Sequence, residues 1–359
     1  MMREFRRESA RARAEGGRVK MSRLFRFALC WTALGFAPSV ARADAVSDFF
    51  AGKVINLVIA SGEGGYDLYG RLVSRHLGKH IPGNPRIVAQ TMPGAGGLQG
   101  ANHVYNIAPR DGATIGLIRR NAIIAHITNP SGVRFDIAKM NWLGNLIPEM
   151  PVAIAWHDAK AKTFDELRRS ELIVGGTGPA SVHETSARLF NALLGTKYRI
   201  VGGYKGSGDL DLAMERGETQ GIAYDSWSGV KLRKGDWIRR GLIHVTLSYG
   251  LDRNPDLPDA PFALDHARDD DDKRLMQLYF AQDAVARPMI APPGVPADRL
   301  AALRAAFMAL GADPEFLADA EKSMLQIGLS DAASVKKIVD MVAGTPHALA
   351  QRLATLTAP

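Results

Sequence analysis

The chain has 359 residues, 46% of them apolar and 23% charged, with a formal charge of +8. That length provides for two ordinary domains with a core each, and a globular, mostly soluble protein is expected. The charge does not point to a nucleic-acid partner: residues 1–43 hold ten Arg and Lys against three acids, and the remainder is nearly neutral, with 35 basic and 34 acidic side chains.

The basic extension divides into parts. From Met21 it reads "MSRLFRFALCWTALGFAPSVARAD": Arg23 and Arg26 form a basic region, 27–37 an apolar run, and Ala41, Arg42 and Ala43 a small-x-small site. This is the layout of a secretory signal peptide, with a mature, periplasmic protein starting near Asp44. The apolar run is too short to span a bilayer, and the small-x-small site favours cleavage over a retained anchor. Residues 1–20 fit a signal poorly, and a true start at Met21 explains them most simply. The one cysteine, Cys30, lies in the segment to be removed, in a poor context for lipidation. The mature chain then has no thiol, which excludes disulfides, cysteine nucleophiles and Cys-ligated zinc.

Past Asp44 short apolar runs alternate with amphipathic ones. Strands are predicted at 54–60, 86–91, 113–118, 152–156, 172–176, 198–204, 221–224 and 241–249, and helices at 66–79, 97–107, 181–194, 208–216, 297–310, 313–326 and 331–342. The acid-dense run at 265–272 reads as a solvated loop or helix end rather than a metal site. "LPDAP" and "RPMIAPPGVP" read as extended connections. Strand-helix alternation predicts α/β architecture with mainly parallel sheets. The last third is helix-rich with no new strand series, so it is expected to return and finish the first domain. The expected organisation is an extension and signal at 1–43, a first domain at 44–148, a second at 149–271 and a return segment at 272–359.

Four glycine-rich turns join strands to helices: "SGEGGYD" (61–67), "MPGAGGLQG" (92–100), "GGTGPAS" (175–181) and "GYKGSGD" (203–209). Each places backbone N–H groups at a helix start, where the dipole favours an anion. One such turn is often only a turn, because tight connections need glycine anyway. Four of them, two in each half, argue for one anionic ligand held in a cleft at the strand ends. The dinucleotide fingerprint fails because Asp67 stands where the third glycine is needed, and no phosphate-binding loop occurs. The nine histidines give only His76 and His80 at ligand spacing, at the far end of their helix, and these are read as surface residues. No nucleophile elbow is present. Neither a cofactor, a metal nor a catalytic residue is expected.

The segments "IASGEGGYDLYGRLVSRHLGKHIPGNP", "MPGAGGLQGANHVYNIAPRDGATIGL", "VGGTGPASVHETSARLFNALLG", "GYKGSGDLDLAMERGE" and "APPGVPADRLAALRAAF" occur in this order. With the signal peptide, the sequence resembles the Bug-type extracytoplasmic solute receptors of tripartite tricarboxylate transporters across 44 to about 345. The resemblance implies a two-domain, type II (Venus-flytrap) periplasmic binding protein. Such a receptor closes on a small organic carboxylate (a di- or tricarboxylate or an aromatic acid), delivers it to membrane permease subunits and performs no catalysis. It further implies that the first loop, Ser61, Glu63, Gly64, Gly65, Tyr66 and Asp67, and the second, Pro93, Ala95, Gly96 and Gly97, grip one carboxylate, largely through backbone amides and water. The other domain closes with Thr177, Gly178, Ala180, Ser181 and His183, with Tyr204, Lys205 and Gly206, and with Asp225.

Some positions depart from the family pattern. Glu63 and Tyr66 are bulky in a loop often built from Pro, Gly and Thr, His183 follows Ser181 one residue early, and Gln220 stands where Asp is common. The identity of the ligand is therefore open: Glu63 either repels a second carboxylate or accepts from a hydroxyl or ammonium group. Asp67 either caps its helix or meets ligand, and Arg71 is expected to pair with it. Lys205 is a site residue or a solvated turn, and Asp225 and Trp227 serve the ligand or a hinge. A secreted α/β enzyme and a receptor that signals rather than transports are the alternatives.

Overall fold

The computed structural model describes residues 39–62, 65–128, 130–178, 181–204 and 206–358. The basic region and apolar run of the signal peptide therefore lie outside the described residues, as do Glu63, Gly64, Ala180 and Lys205. Eleven strands are present: β1 (Val54–Ile59), β2 (Arg86–Thr91), β3 (Thr114–Leu117), β4 (Asn141–Asn145), β5 (Pro151–Trp156), β6 (Leu172–Gly175), β7 (Tyr198–Val201), β8 (Gly221–Ser226), β9 (Ile243–Ser248), β10 (Pro288–Ala291) and β11 (Ser330–Asp331). They form a six-stranded sheet in the order β11-β4-β10-β3-β1-β2 and a five-stranded sheet in the order β7-β6-β8-β5-β9. Pairing is parallel within β2-β1-β3 and within β7-β6-β8, where the chain runs strand, helix, strand. It is antiparallel where β10 and β11 come back to the first sheet and where β5 joins β8 and β9. Ala43–Pro359 make one compact unit, to which both sheets belong.

The alternation along β1 shows why this architecture forms. Ile55, Leu57 and Ile59 enter a core shared with Leu72 and Val73 of the Gly65–His76 helix and Phe307 of the Ala297–Ala309 helix. Val58 points the other way, into a core with Leu98 and Val104 of the Leu98–Asn106 helix. Successive side chains leave a strand on opposite faces, so a run apolar at both must be covered by helices on both sides. Each such fully buried Leu or Ile contributes about 2 kcal/mol through apolar burial.

All eight expected strands form, within a few residues of the expected ends. Three more were not read from the sequence. β10 lies in the proline-rich stretch read as an extended connection; it is extended, but it is a buried strand paired on both sides, so the last third does add strands. β4 carries Asn at both ends, and β11 has two residues; neither shows a run long enough to read. The acid run at 265–272 ends in the first turn of the Asp270–Ala284 helix, where Asp269 caps Asp272 N–H at 2.7 Å. Asp272 itself is buried between Arg268 and Arg352.

That helix sets the geometry of the cleft. Phe280 packs on Tyr249, with ring centroids 5.3 Å apart, and Tyr249 packs edge-on against Phe190 at 4.8 Å, fixing the helix to the second sheet. Its end leads directly into β10 of the first sheet. At the other crossing, between β4 and β5, Glu149 N–H donates to Asp283 O at 2.8 Å, and Leu146 N–H donates to Arg287 O at 3.1 Å. The two segments that pass between the sheets are thus hydrogen-bonded to each other.

His76 and His80 serve packing. His76 Nε2 lies 2.9 Å from Asp319 and His80 Nε2 lies 2.9 Å from Asp313. The Lys79 ammonium sits 2.8 Å from Asp313 and 2.6 Å from Glu315. The cluster ties the Gly65–His76 helix and the turn after it to the Pro314–Lys322 helix, and the Lys79 ammonium bridges Asp313 and Glu315.

Candidate functional site

A cleft of about 770 Å³ opens where the carboxyl ends of β1, β2 and β3 face those of β6, β7 and β8. One wall comes from Gly65, Tyr66, Gly96, Arg119, Arg120, Asn121 and Arg287, the other from Thr177, Gly178, Ser181, His183, Ser207, Tyr224, Asp225 and Arg233, with Glu149 at the crossing.

Each loop is shaped for close approach. In the PGAGG loop Gly94, Ala95, Gly96 and Gly97 take φ of 130°, 46°, 66° and 94°, four successive residues in a region that side chains disfavour. The loop closes through Gly97 N–H to Gly94 O at 2.8 Å and is held by Asn121 Nδ2 donating to Gly96 O at 3.1 Å. Opposite, the Val182–Leu194 helix starts at Ser181, whose Oγ makes no cap hydrogen bond and is left buried without a partner. Glu184, one turn in, instead accepts from Gly178 N–H at 3.0 Å, and Thr177 Oγ1 lies 3.0 Å from His183 Nδ1. Burial holds the His183 imidazole down to about 4 against the opposing pull of Asp225, so it is neutral at neutral pH.

Gly97 also seats a functional side chain. A Cβ there would stand 2.7 Å from Ala60 O and 2.5 Å from Arg119 Cδ, whereas a Cβ at Gly203, with a similar φ of 102°, would meet nothing within 4 Å. Gly203→Ala should therefore cost about 1–2 kcal/mol, the left-handed penalty alone. Gly97→Ala should cost about 1–3 kcal/mol more because it also clashes. Urea melts of the two variants check this; equal losses would remove the steric part of the argument.

Tyr66 joins the pieces of the first wall. Its hydroxyl accepts from Arg120 N–H at 3.0 Å and donates to Ala286 O at 2.7 Å, tying the exit of β3 to the entry of β10. Its ring lies between two guanidiniums, with Arg287 4.4 Å and Arg119 5.5 Å from the centroid. Arg120 reaches across to the second wall, 4.8 Å over the Tyr224 ring and 3.4 Å from Asp283. Tyr224 Oη donates to the same carboxylate at 2.7 Å. Burial raises the Asp283 carboxyl to about 6, although Arg120 and the Tyr224 hydroxyl pull it down.

The charges lining the cleft are mostly matched. Arg120 faces Asp283, Arg287 lies 3.3 Å from Glu149, and Arg233 lies 3.0 Å from Asp225. Lys234, fully buried, pairs with both Asp225 and Asp211 at 2.6 Å. Arg119 alone among these guanidiniums has no carboxylate partner among the described residues.

Of the residues singled out from sequence, Gly65, Tyr66, Gly96, Thr177, Gly178, Ser181, His183 and Asp225 line the cleft. Asp67 turns to Arg71 at 2.9 Å, the expected pair one helical turn apart, and Gly97 lies behind Arg119. Ser61 is buried at the end of β1, and Pro93, Ala95, Tyr204 and Gly206 stand in their loops beside the cleft rather than among its lining residues. Trp227 donates to Asp256 at 3.0 Å. Gln220, where Asp is common, braces β6 by accepting from Ile173 N–H at 3.1 Å. The arginines were missed. The signal for Arg119 and Arg120 was present, since "RRN" directly follows the strand "ATIGLI" at the end where ligands bind; Arg287 was hidden because β10 was.

No protein-family model matches the chain, and no curated protein matches its sequence. Solved structures do match. A TctC solute-binding protein from Polaromonas aligns with a TM-score of 0.64 at 16% identity, covering 84% of this chain and 98% of that one. The periplasmic binding protein BugD gives 0.59 at 17%, covering 85% and 98%. MatC from Rhodopseudomonas palustris, solved with bound malate, gives 0.58 at 19%, covering 85% and 99%. Nearly the whole of each of these proteins finds its counterpart here, and the chain therefore has the α/β fold of the TctC- and Bug-type periplasmic solute-binding proteins.

Proposed function

We propose that this protein is a periplasmic solute-binding receptor of a tripartite tricarboxylate-type transporter. It captures a small organic carboxylate in the cleft and presents it to membrane permease subunits, without chemistry on the ligand. Arg119 carries this reading. It lines a cleft whose other guanidiniums face acids, and it is the one of them with no carboxylate among the described residues, a positive charge that an anion would cancel. The helix starting at Val182 and the PGAGG loop offer backbone N–H groups from opposite walls. The malate bound by MatC is in keeping with a carboxylate.

In this reading 44–148 with 272–359 form one lobe and 149–271 the other, with the Asp270–Ala284 helix, which packs on the second sheet, running between them. The hydrogen-bonded crossings at Glu149 and Asp283 act as the hinge, and ligand holds the lobes closed by touching both. Glu63, Gly64, Ala180 and Lys205 complete the loops that meet the ligand. Thermal unfolding across di- and tricarboxylates, monocarboxylates, aromatic acids and amino acids tests the proposal. At a hundred times Kd a bound acid adds about 2.7 kcal/mol, raising Tm by about 5 °C. A panel in which no carboxylate moves Tm would remove it.

A further inference from the structure

A second cavity of about 800 Å³ adjoins the cleft and shares Gly65, Glu149, Ser226, Arg233 and Arg287 with it. Its far wall differs in chemistry. Leu68, Leu232, Leu317 and Met324 line it, with 50%, 50%, 40% and 65% of their surface exposed. These are four of the ten large apolar side chains exposed among the described residues, gathered from three separate places in the chain. Scattered exposed leucines are ordinary, but a group converging on one cavity marks a surface that something apolar covers. Leu68 and Leu317 stand on helices packed with the first sheet, Met324 in the turn that ends the second of these, and Leu232 on the helix that follows β8, so this cavity, like the cleft, lies between the two sheets.

Among the described residues the cleft offers one unmatched cation, and the adjoining cavity offers an apolar wall beside polar and paired charged side chains. Resting on the receptor reading above, we infer that the ligand is a monocarboxylate with an extended apolar body. Its carboxylate meets Arg119, and its tail passes Gly65 and Ser226, alongside the paired Arg287–Glu149 and Arg233–Asp225 groups, into the second cavity between Leu68 and Leu232. A second carboxylate at the far end would meet Leu232, Leu317 and Met324 beside the Glu321 carboxylate, with no unpaired cation among the described lining residues to replace its hydration: Lys231 is paired with Asp256 at 2.6 Å, Arg233 with Asp211 and Asp225, and Arg287 with Glu149.

Titration calorimetry of the mature chain with acetate, butanoate, hexanoate, octanoate and decanoate, and with succinate, adipate and sebacate, tests this. Kd should fall by about threefold per added methylene in the monoacid series, in line with burial of each CH₂. Each diacid should bind at least about tenfold more weakly than the monoacid of equal length. Leu232→Glu, on an exposed surface, should flatten the chain-length dependence while leaving butanoate unchanged; Leu68→Glu should do the same from the opposite wall. Diacids that match or exceed the monoacids, or a flat series that Leu232→Glu does not alter, overturn the inference and leave the receptor reading standing. Failure of every acid to bind overturns both.

Discussion

Arg119→Gln should bind the tightest acid of the panel about thirty- to a thousandfold more weakly, a loss of about 2–4 kcal/mol, with the free protein's stability essentially unchanged. The two halves of this expectation come from the same observation. Arg119 lacks a carboxylate partner among the described residues, so its removal orphans no buried charge. A bound carboxylate, in contrast, would lose its charge-assisted, two-point partner. Arg119→Lys restores the charge but not the planar fork and should recover only part of the affinity. Calorimetry on the three proteins reads the effect. Affinity unchanged in Arg119→Gln would move the anion site elsewhere.

Arg120→Leu should act in the opposite way, on the fold. Asp283 is fully buried, and without Arg120 it keeps the Tyr224 hydroxyl and the more distant charge of Arg287 among the described residues, so the variant should lose about 3–5 kcal/mol at pH 7.5. The loss should shrink toward pH 5, where Asp283 takes up a proton. The sign follows from the parent protein. The Asp283 carboxyl sits at about 6 in the fold against an ordinary 3.8, so its contribution is fully present below about 4 and gone once pH passes 6. His183 runs the other way, at about 4 against 6.5, contributing fully above 6.5 and losing that contribution as pH falls. In the parent the two slopes oppose each other across one interval. His183→Gln should uncover the Asp283 slope, with stability falling from pH 4 to pH 6 in urea melts. A variant whose melts show the parent's pH profile would contradict this assignment.

The parts of the fold legible in sequence were those with a local period. The run "VINLVIA" could only be a buried strand, and "VHETSARLFNALLG" only a helix. β10 was not legible because four apolar residues flanked by prolines carry no period, and its strand character comes from β3 and β4 on either side, far away in sequence. The site divides in the same way. Glycines announce themselves, because a turn with successive positive φ admits little else, and half the cleft's backbone was found through them. Arginines are common on any surface, and what distinguishes Arg119 from Arg120 is the position of Asp283, which only the folded chain brings near. Asp225 shows the limit of residue type as a guide: an acid at a strand end read as a ligand or hinge residue, yet its carboxylate is already engaged by Arg233 and Lys234.

The placement of β10 also fixes an order of assembly. The second sheet is continuous in the chain, from β5 to β9, and has all its strands once Ser248 has been made. The six-stranded sheet does not: β3 and β4 are not neighbours, and the only strand that joins them is β10. A nascent or truncated chain ending before Pro288 holds β2-β1-β3 with an unpaired edge and a lone β4, since β11 also lies further on, and the loops of the first wall have no floor to stand on. The half of the molecule that begins first is therefore the half that closes last, and Arg287, one residue ahead of β10, reaches its place between Tyr66 and Glu149 only at that final step.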